Sequence, residues 1–369
     1  MVKKLLAYVF VTIGLAAIGI SSWPPLMHKI YDWNNAHTDV HSWRTNHTKM
    51  GGGDLIKLSY LDDIKKFWEL KNYTFVKATD NGKKNIDLYL YGDSYTEDMP
   101  GYIFANVNKY QYGTKLLGLN YSLDSGKKNI LLIEITERLA LETLSGTWIY
   151  NMLKGKGLQK GEPAAAEQPV APSAAQPSAP PKKQSYSLAG RPRYAQLVNT
   201  NIEYLLFDYN IINQLKQRKA DMNYYLFNRA SGDAAISDNG DYLFFKPTVV
   251  EGGAYSSYTP LTDNNINTAV SLLNEIYDHY KKEGFSEIYL SIIPNAATIL
   301  QPKNYNRMIP RIQQNSALKM PVIDIYSIYS AAPDPATLYR RGDTHWNDKG
   351  MQIWLRLVNN ELKRQSAQQ

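Results

Sequence analysis

Apolar positions along the chain fall into three kinds of run. The first is continuous: residues 5–20 are almost wholly apolar, preceded by Lys3 and Lys4 and closed by Ser21, Ser22, Trp23 and two prolines. The second kind is short and bounded by turn residues, which reads as buried strand. Such runs cover 86–91 (ending at Gly92), 116–123, 129–135, 242–246 after the Asn239-Gly240 turn, 288–293 (stopped by Pro294) and 322–325. The third kind repeats at helical spacing. Leu61, Ile64, Phe67 and Trp68 predict a helix over 60–70, and similar patterns predict helices over 136–152, 194–219, 263–282, 304–315 and 347–363. Gly284 suits the end of the 263–282 helix, and Asn347 suits the start of the last one. Apolar strands alternating with helices predict an α/β fold, a parallel sheet flanked by helices on both faces.

One stretch breaks the pattern. Residues 161–184 are rich in Pro and Ala with almost no apolar bulk, so they cannot bury enough surface to fold. The expected organisation is a cytoplasmic tip and transmembrane signal anchor (1–26), a stalk (27–58), the first half of the domain (59–152), a disordered linker (153–190) and the second half (191–369). Because the linker interrupts the α/β units, both halves are expected to build one sheet. The lysines ahead of the apolar run predict a cytoplasmic N-terminus with the rest of the chain outside. A cleaved signal peptide is the rival, but no A-x-A site ends the run, and Trp23-Pro24-Pro25 reads as an interfacial stop.

Composition narrows the chemistry. The 369 residues are 44% hydrophobic, enough for a real core, and contain no cysteine, which excludes thiolate metal sites, disulfides and a cysteine nucleophile. The formal charge of +7 is scattered, with no basic run resembling a nucleic-acid patch. His37 and His41 have zinc-ligand spacing, but no glutamate follows His37 as a zincin requires, so no metal site is assigned. The 28 tyrosines offer rings for sugar faces, though strand preference and packing explain most of them.

Two motifs carry chemistry. Tyr91-Gly92-Asp93-Ser94-Tyr95 follows a strand directly, so Ser94 is expected at the carboxyl edge of the sheet, where α/β sites form. Arg341-Gly342-Asp343-Thr344-His345-Trp346 precedes the last helix. A serine hydroxyl needs a base to take its proton; His345 is suited to that task near neutral pH, and Asp343 is spaced to fix its tautomer. Each motif alone reads equally as a turn with a helix cap. Their co-occurrence predicts a Ser94–His345–Asp343 triad, with Tyr95 and Trp346 adjoining it and expected to shape the site or contact substrate.

These blocks resemble those of the SGNH (GDSL-like) hydrolase superfamily, whose first block is Gly-Asp-Ser and whose last supplies Asp and His. Asp343-Thr344-His345-Trp346-Asn347 is more specifically similar to the alginate O-acetyltransferase group of exported polysaccharide-modifying proteins. So are the segments at 239–245 and 293–299, the surroundings 338–350, and Ile133-Glu134 with Glu137-Arg138. Together these cover most of 86–150 and 236–360. Three features depart from the superfamily or group pattern. The Asp-His block here follows the serine block, a permuted order relative to that group, and its spacing is D-x-H rather than D-x-x-H. The superfamily's Gly-x-Asn-Asp block is also absent, with Thr136, Glu137 and Arg138 in its place. Asn295 and the Ser94 amide are therefore the candidate oxyanion donors, and Arg138 either binds substrate or pairs with Glu137. The resemblance implies an SGNH-type serine O-acetyltransferase in the membrane, facing the periplasm or exterior, with a polysaccharide acceptor and no metal or soluble cofactor. A multi-pass membrane-bound O-acyltransferase is implied as acyl donor, because acetyl-CoA is not supplied outside. An acetyl esterase with the same triad, and an inactive carbohydrate-binding assembly protein, are the alternatives.

Overall fold

The structure, a computed structural model, describes residues 2–36, 53–61, 64–69, 73–80, 83–114, 118–140, 158–160, 210–253 and 255–368, and a few positions between 198 and 206. His37, His41 and most of the Pro/Ala-rich segment lie outside the described residues, as does the expected helix 136–152 beyond residue 140. The chain divides into two compact units: Met1–Gly51 with Tyr60–Asp63 and Gln168–Phe227, and Gly52–Ser59 with Ile64–Glu167 and Asn228–Gln369.

The second unit is α/β. Its strands are β1 Ile86–Gly92, β2 Val107–Thr114, β3 Leu119–Tyr121, β4 Lys128–Thr136, β5 Leu158–Lys160, β6 Ala234–Ile236, β7 Leu243–Phe245 and β8 Glu287–Ile293. Four of them form a sheet in the order β2-β1-β4-β8, parallel throughout. Strands from before and after the Pro/Ala segment thus share one sheet. β1, β4 and β8 are buried on both faces, which is why they read as unbroken apolar runs. Successive β1 side chains face opposite layers: Ile86, Leu88 and Leu90 join a core with Trp354 and Val358 of the last helix, while Tyr89 and Tyr91 join one with Leu273 and Ile276 of Asp263–Glu283. The Asp263–Glu283 helix starts with a Thr262 capping box and ends on left-handed Gly284. Asn347 caps the final helix, Asp348–Ala367, through its side chain on the Gly350 amide. The β2 edge strand escaped the pattern reading because its mixed polar sequence is only half buried.

Several expectations are corrected. The helix foreseen over 60–70 is among the described residues only a 3-10 turn, Lys65–Phe67. Tyr60 has left-handed φ, and while Leu61 and Phe67 are buried, Trp68 is not. The foreseen 322–325 strand is one bridge, Leu290 to Val322, because Asp324 instead caps a helix, Ile325–Ser330. Residues 54–59, placed in the stalk, form a short helix with Leu55 and Ile56 buried in the α/β unit. β5, inside the expected linker, pairs with β3; the proline-rich composition begins only beyond it. The helix Asn210–Phe227 groups with the first unit rather than with the sheet; its Leu215, Tyr225, Leu226 and Phe227 stay exposed.

In the first unit, Val2–Ser21 and Pro24–Ala36 are helical. No single helix among the described residues is long and apolar enough to cross a membrane; Ala7–Ser21 and Pro24–Ile30 reach that length and composition only together, across a 98° bend.

Candidate active site

The order β2-β1-β4-β8 sends the connections leaving β1 and β4 to opposite sides, so their carboxyl ends flank a switch point, where α/β sheets bind ligands. Ser94 follows β1, Glu137 and Arg138 follow β4, and Asn295 follows β8.

The turn carrying Ser94 is pinned from below. Asp93 N donates to Glu134 Oε2 at 3.0 Å, and Thr96 Oγ1 donates to the same oxygen at 3.1 Å. The Asp93 carboxylate accepts from Tyr95 N (3.0 Å), Thr136 N (3.2 Å) and the Thr136 hydroxyl. A side chain at Gly92 would collide with Thr96 Oγ1 and Glu134 Oε2, so only glycine fits. No helix begins at Ser94; residues 94–98 form successive turns instead. Among the described residues the Ser94 N–H has no acceptor, which leaves it available to an oxyanion.

The second loop is held by an antiparallel bridge between Tyr339 and Trp346. Exposed Ser94 places Oγ 2.8 Å from His345 Nε2, and His345 Nδ1 lies 2.6 Å from Asp343 Oδ1. Asp343 Oδ1 also accepts from the His345 amide at 2.9 Å. Burial would raise the Asp343 pKa, but the hydrogen bond and charge of His345, with the backbone donors of His345 and Asp54, hold it well below the usual carboxylate range. Two groups 251 residues apart thus close a Ser–His–Asp relay.

No family model, curated protein or solved structure matches this chain. The reading of the site therefore stands on its geometry and on the motif resemblance.

Tyr95 and Trp346, foreseen as substrate contacts, are 2% and 0% exposed. They shape the site from behind. The Tyr95 ring packs 4.6 Å from the His345 ring and its hydroxyl donates to the Thr344 carbonyl, tying one catalytic loop to the other. Trp346 packs edge-on against Tyr95 and, tilted, against Trp354 in the core. Asn295 is buried: its amide N–H donates to Glu137 Oε2 at 2.8 Å, and its side-chain nitrogen donates to Ser257 Oγ at 3.0 Å, one of its two N–H groups. The Glu137 carboxyl also takes the Thr298 hydroxyl at 2.6 Å; burial pushes its pKa up to about 7 against these hydrogen bonds. Glu137 is thus turned away from Arg138, whose guanidinium instead lies 5.9 Å from the Tyr95 ring centre. Arg138, Asn295, Asp343 and Thr344 line a cavity of about 10 Å³, water-sized. Beside it opens a cleft of about 760 Å³ lined by Tyr242, Tyr258, Asp238, Asn239 and Gln301; Phe244 lines both.

Sequence reasoning missed Asp54. Its carboxylate accepts from Thr344 N at 2.8 Å and Thr344 Oγ1 at 2.5 Å, and its own amide donates to Asp343 Oδ2 at 3.2 Å. Burial, then the charge of Asp343, raises the Asp54 pKa, opposed by the Thr344 hydrogen bonds. Ligand atoms of Asp54, Asp343 and His345 lie within 4.8 Å of one another, but all of them already have hydrogen-bond partners in Thr344, His345, Ser94 and Asp54 itself. No signal in the sequence marked an aspartate after three glycines as part of a site.

Proposed function

We propose that this chain is an SGNH-type serine O-acyltransferase that acetylates a cell-envelope or secreted polysaccharide. The observation that carries the reading is the Ser94–His345–Asp343 relay at 2.8 and 2.6 Å, with an exposed serine at the carboxyl edge of a parallel sheet.

In this mechanism Ser94 Oγ attacks the acyl carbonyl of a donor ester as its proton passes to His345 Nε2. Asp343, held ionised, fixes the tautomer and balances the imidazolium. The Ser94 N–H is oriented to take part of the oxyanion charge. Collapse breaks the bond to the leaving alcohol, which takes the proton from His345 and leaves acyl-Ser94. A sugar hydroxyl then attacks, again giving its proton to His345, and Ser94 Oγ departs and recovers that proton. Transfer must outcompete water at about 55 M, which effective molarities of ~10⁵ M allow when the acceptor is held in attack geometry. The cleft that adjoins the small cavity on the Asp343 side of the relay, with aromatic walls and polar groups, supports an acceptor-binding role. Arg138, free of any carboxylate among the described residues, suits a polar or anionic substituent.

The exposed apolar side chains of Val2–Ser21, including Tyr8, Phe10, Val11 and Leu15, support an uncleaved membrane anchor with the catalytic unit outside, supplied by a multi-pass acyltransferase. Intact mass of membrane-extracted protein checks the anchor; a mature N-terminus near residues 18–24 would replace it with a cleaved signal peptide.

For the chemistry, Ser94→Ala and His345→Ala are each expected to remove nearly all turnover of an aryl acetate ester, and together to cost little more than either alone. Near-normal turnover by Ser94→Ala sinks the assignment. Supplying an activated acetyl ester with deacetylated oligosaccharides, and following acetate and acetylated sugar by mass spectrometry, separates transfer from hydrolysis. Unchanged acetate release with no acetylated sugar would leave an esterase.

A further inference from the structure

The catalytic loop does not stand on the two sequence motifs alone. The helix Asp54–Ser59 packs directly against it, with Leu55 1% and Ile56 0% exposed. Ile56 N donates to the Gly342 carbonyl at 3.2 Å, and a side chain at Gly53 would collide with that same carbonyl. At the start of this helix, Asp54 meets the loop through three hydrogen bonds. Its carboxylate accepts from both donors of Thr344, and its backbone amide donates to the second oxygen of Asp343, the one not used by His345.

We propose that Asp54 is a positioning residue for the triad, clamping Thr344 and Asp343 so that the Asp343 carboxylate stays aimed at His345 Nδ1. The inference rests on the serine-enzyme reading of Ser94, His345 and Asp343. It accounts for the short Asp-x-His spacing. With one residue between them, Asp343 must fold back along its own loop to reach both the amide and the ring of His345. That leaves the N–H and hydroxyl of the intervening Thr344, 9% exposed, in need of acceptors, the hydroxyl lying also 3.4 Å from His345 Nδ1. Each buried donor left unpaired is costly enough to shift the loop. One carboxylate, with two oxygens, accepts from both; an amide side chain supplies one acceptor and one donor. Asp54 Oδ2 lies 3.9 Å from His345 Nδ1, beyond hydrogen-bond reach, so Asp54 acts through Thr344 and Asp343 rather than on the ring or the substrate.

The test uses the full chain, an aryl acetate ester and a fluorophosphonate. The fluorophosphonate titrates competent sites: Ser94 Oγ bonds to phosphorus as fluoride leaves, and the serine proton passes to His345. Asp54→Ala is expected to lower kcat per labelled site by about 10²-fold, the scale of a misplacement of order 1 Å, with KM within about twofold. Asp54→Asn, nearly isosteric, is expected to lose about tenfold, and Thr344→Val to resemble Asp54→Ala. The double variant is expected to be no worse than the poorer single one, because both remove the same clamp. Thr344→Ser, which keeps the hydroxyl, is expected to recover most of what Thr344→Val loses.

Three results overturn the proposal. The first is Asp54→Ala with kcat per site within twofold of wild type. The second is a loss confined to the fraction of sites that label, meaning a folding role only. The third is fully additive losses in the double variant. Ser94→Ala run alongside separates the readings. If it turns over ester normally, the serine mechanism itself falls and takes Asp54's role with it; if it is dead while Asp54→Ala is unimpaired, only the clamp falls.

Discussion

Two sets of buried carboxyls lie under this site, and they are held in opposite ways. Beneath His345, Asp343 meets a ring N–H, two backbone amides and the charge of a protonatable imidazole, and its pKa falls despite burial. Behind the carboxyl edge, Glu134 and Glu137 meet only hydroxyls and amides, and burial wins: Glu134 rises well above its ordinary range, with the charge of Asp93 adding to burial, and Glu137 rises to about 7. Depth alone does not set the charge of a carboxyl. What decides it is whether the surrounding donors, and above all a nearby cation, repay the lost hydration. The first arrangement keeps an anion in place beneath the imidazole. The second supplies hydrogen-bonded supports for the Ser94 turn and the β8 end without burying a permanent charge.

The largest effect that sharpens this contrast is expected from Asp343→Asn. The side chain keeps its shape but loses its charge and one of its two acceptor oxygens, so the ring tautomer is no longer fixed and kcat for an aryl acetate is expected to drop about 10⁴-fold with little change in melting temperature. A loss under tenfold would mean that the charge beneath His345 is dispensable and the two carboxyl sets are equivalent. On the other side, Gly92→Ala drives a methyl into Thr96 and Glu134, with an expected cost of roughly 3 kcal/mol in stability by chemical denaturation. An unchanged midpoint would show that the Glu134 support is loose.

The smallest effect is the pH dependence of stability. With a pKa of about 7 folded against an ordinary value of 4.5, Glu137 holds a proton in the folded chain that the unfolded chain has already lost. Stability is therefore fully present below about pH 4.5 and declines as pH rises toward 7. The ceiling is ~3 kcal/mol, from a shift of 2.5 pH units at about 1.36 kcal/mol each. Glu134 contributes in the same direction. Glu137→Gln is expected to flatten part of this slope in melts between pH 5 and 8 while leaving ester turnover per labelled site in place. An identical slope in the variant would place the titration elsewhere.

Much of the contrast was invisible in the sequence, and the elements show why. Ser94, Asp343 and His345 were legible because each sits in a short motif beside a recognisable strand or helix, and their roles follow from side-chain chemistry. Asp54 was not, since its partner Thr344 is 290 residues away and nothing local distinguishes it from a linker aspartate. Tyr95 and Trp346 were located beside the site, but their burial was not legible. An aromatic next to a catalytic residue in sequence faces substrate or core according to how the loop is turned, and here the pleat of the core claims both rings. Glu137 and Arg138 read as a possible ion pair, yet Thr298 and the Asn295 amide bind the carboxyl first.

By itself, the sequence determined the α/β class, the three buried strands β1, β4 and β8, the caps at Gly284 and Asn347, and which three residues are proposed as nucleophile, base and orienting acid. These depend on periodicity, turn chemistry and side-chain type, which act over a few residues. Tertiary structure decided the strand order, the pairing of β2 at the edge, the exposure of Ser94 against the burial of its neighbours, the ionisation of each acid, and the arrival of Asp54 beneath the catalytic loop. Those depend on which distant groups share a volume from which water is excluded, and only the packed chain fixes that.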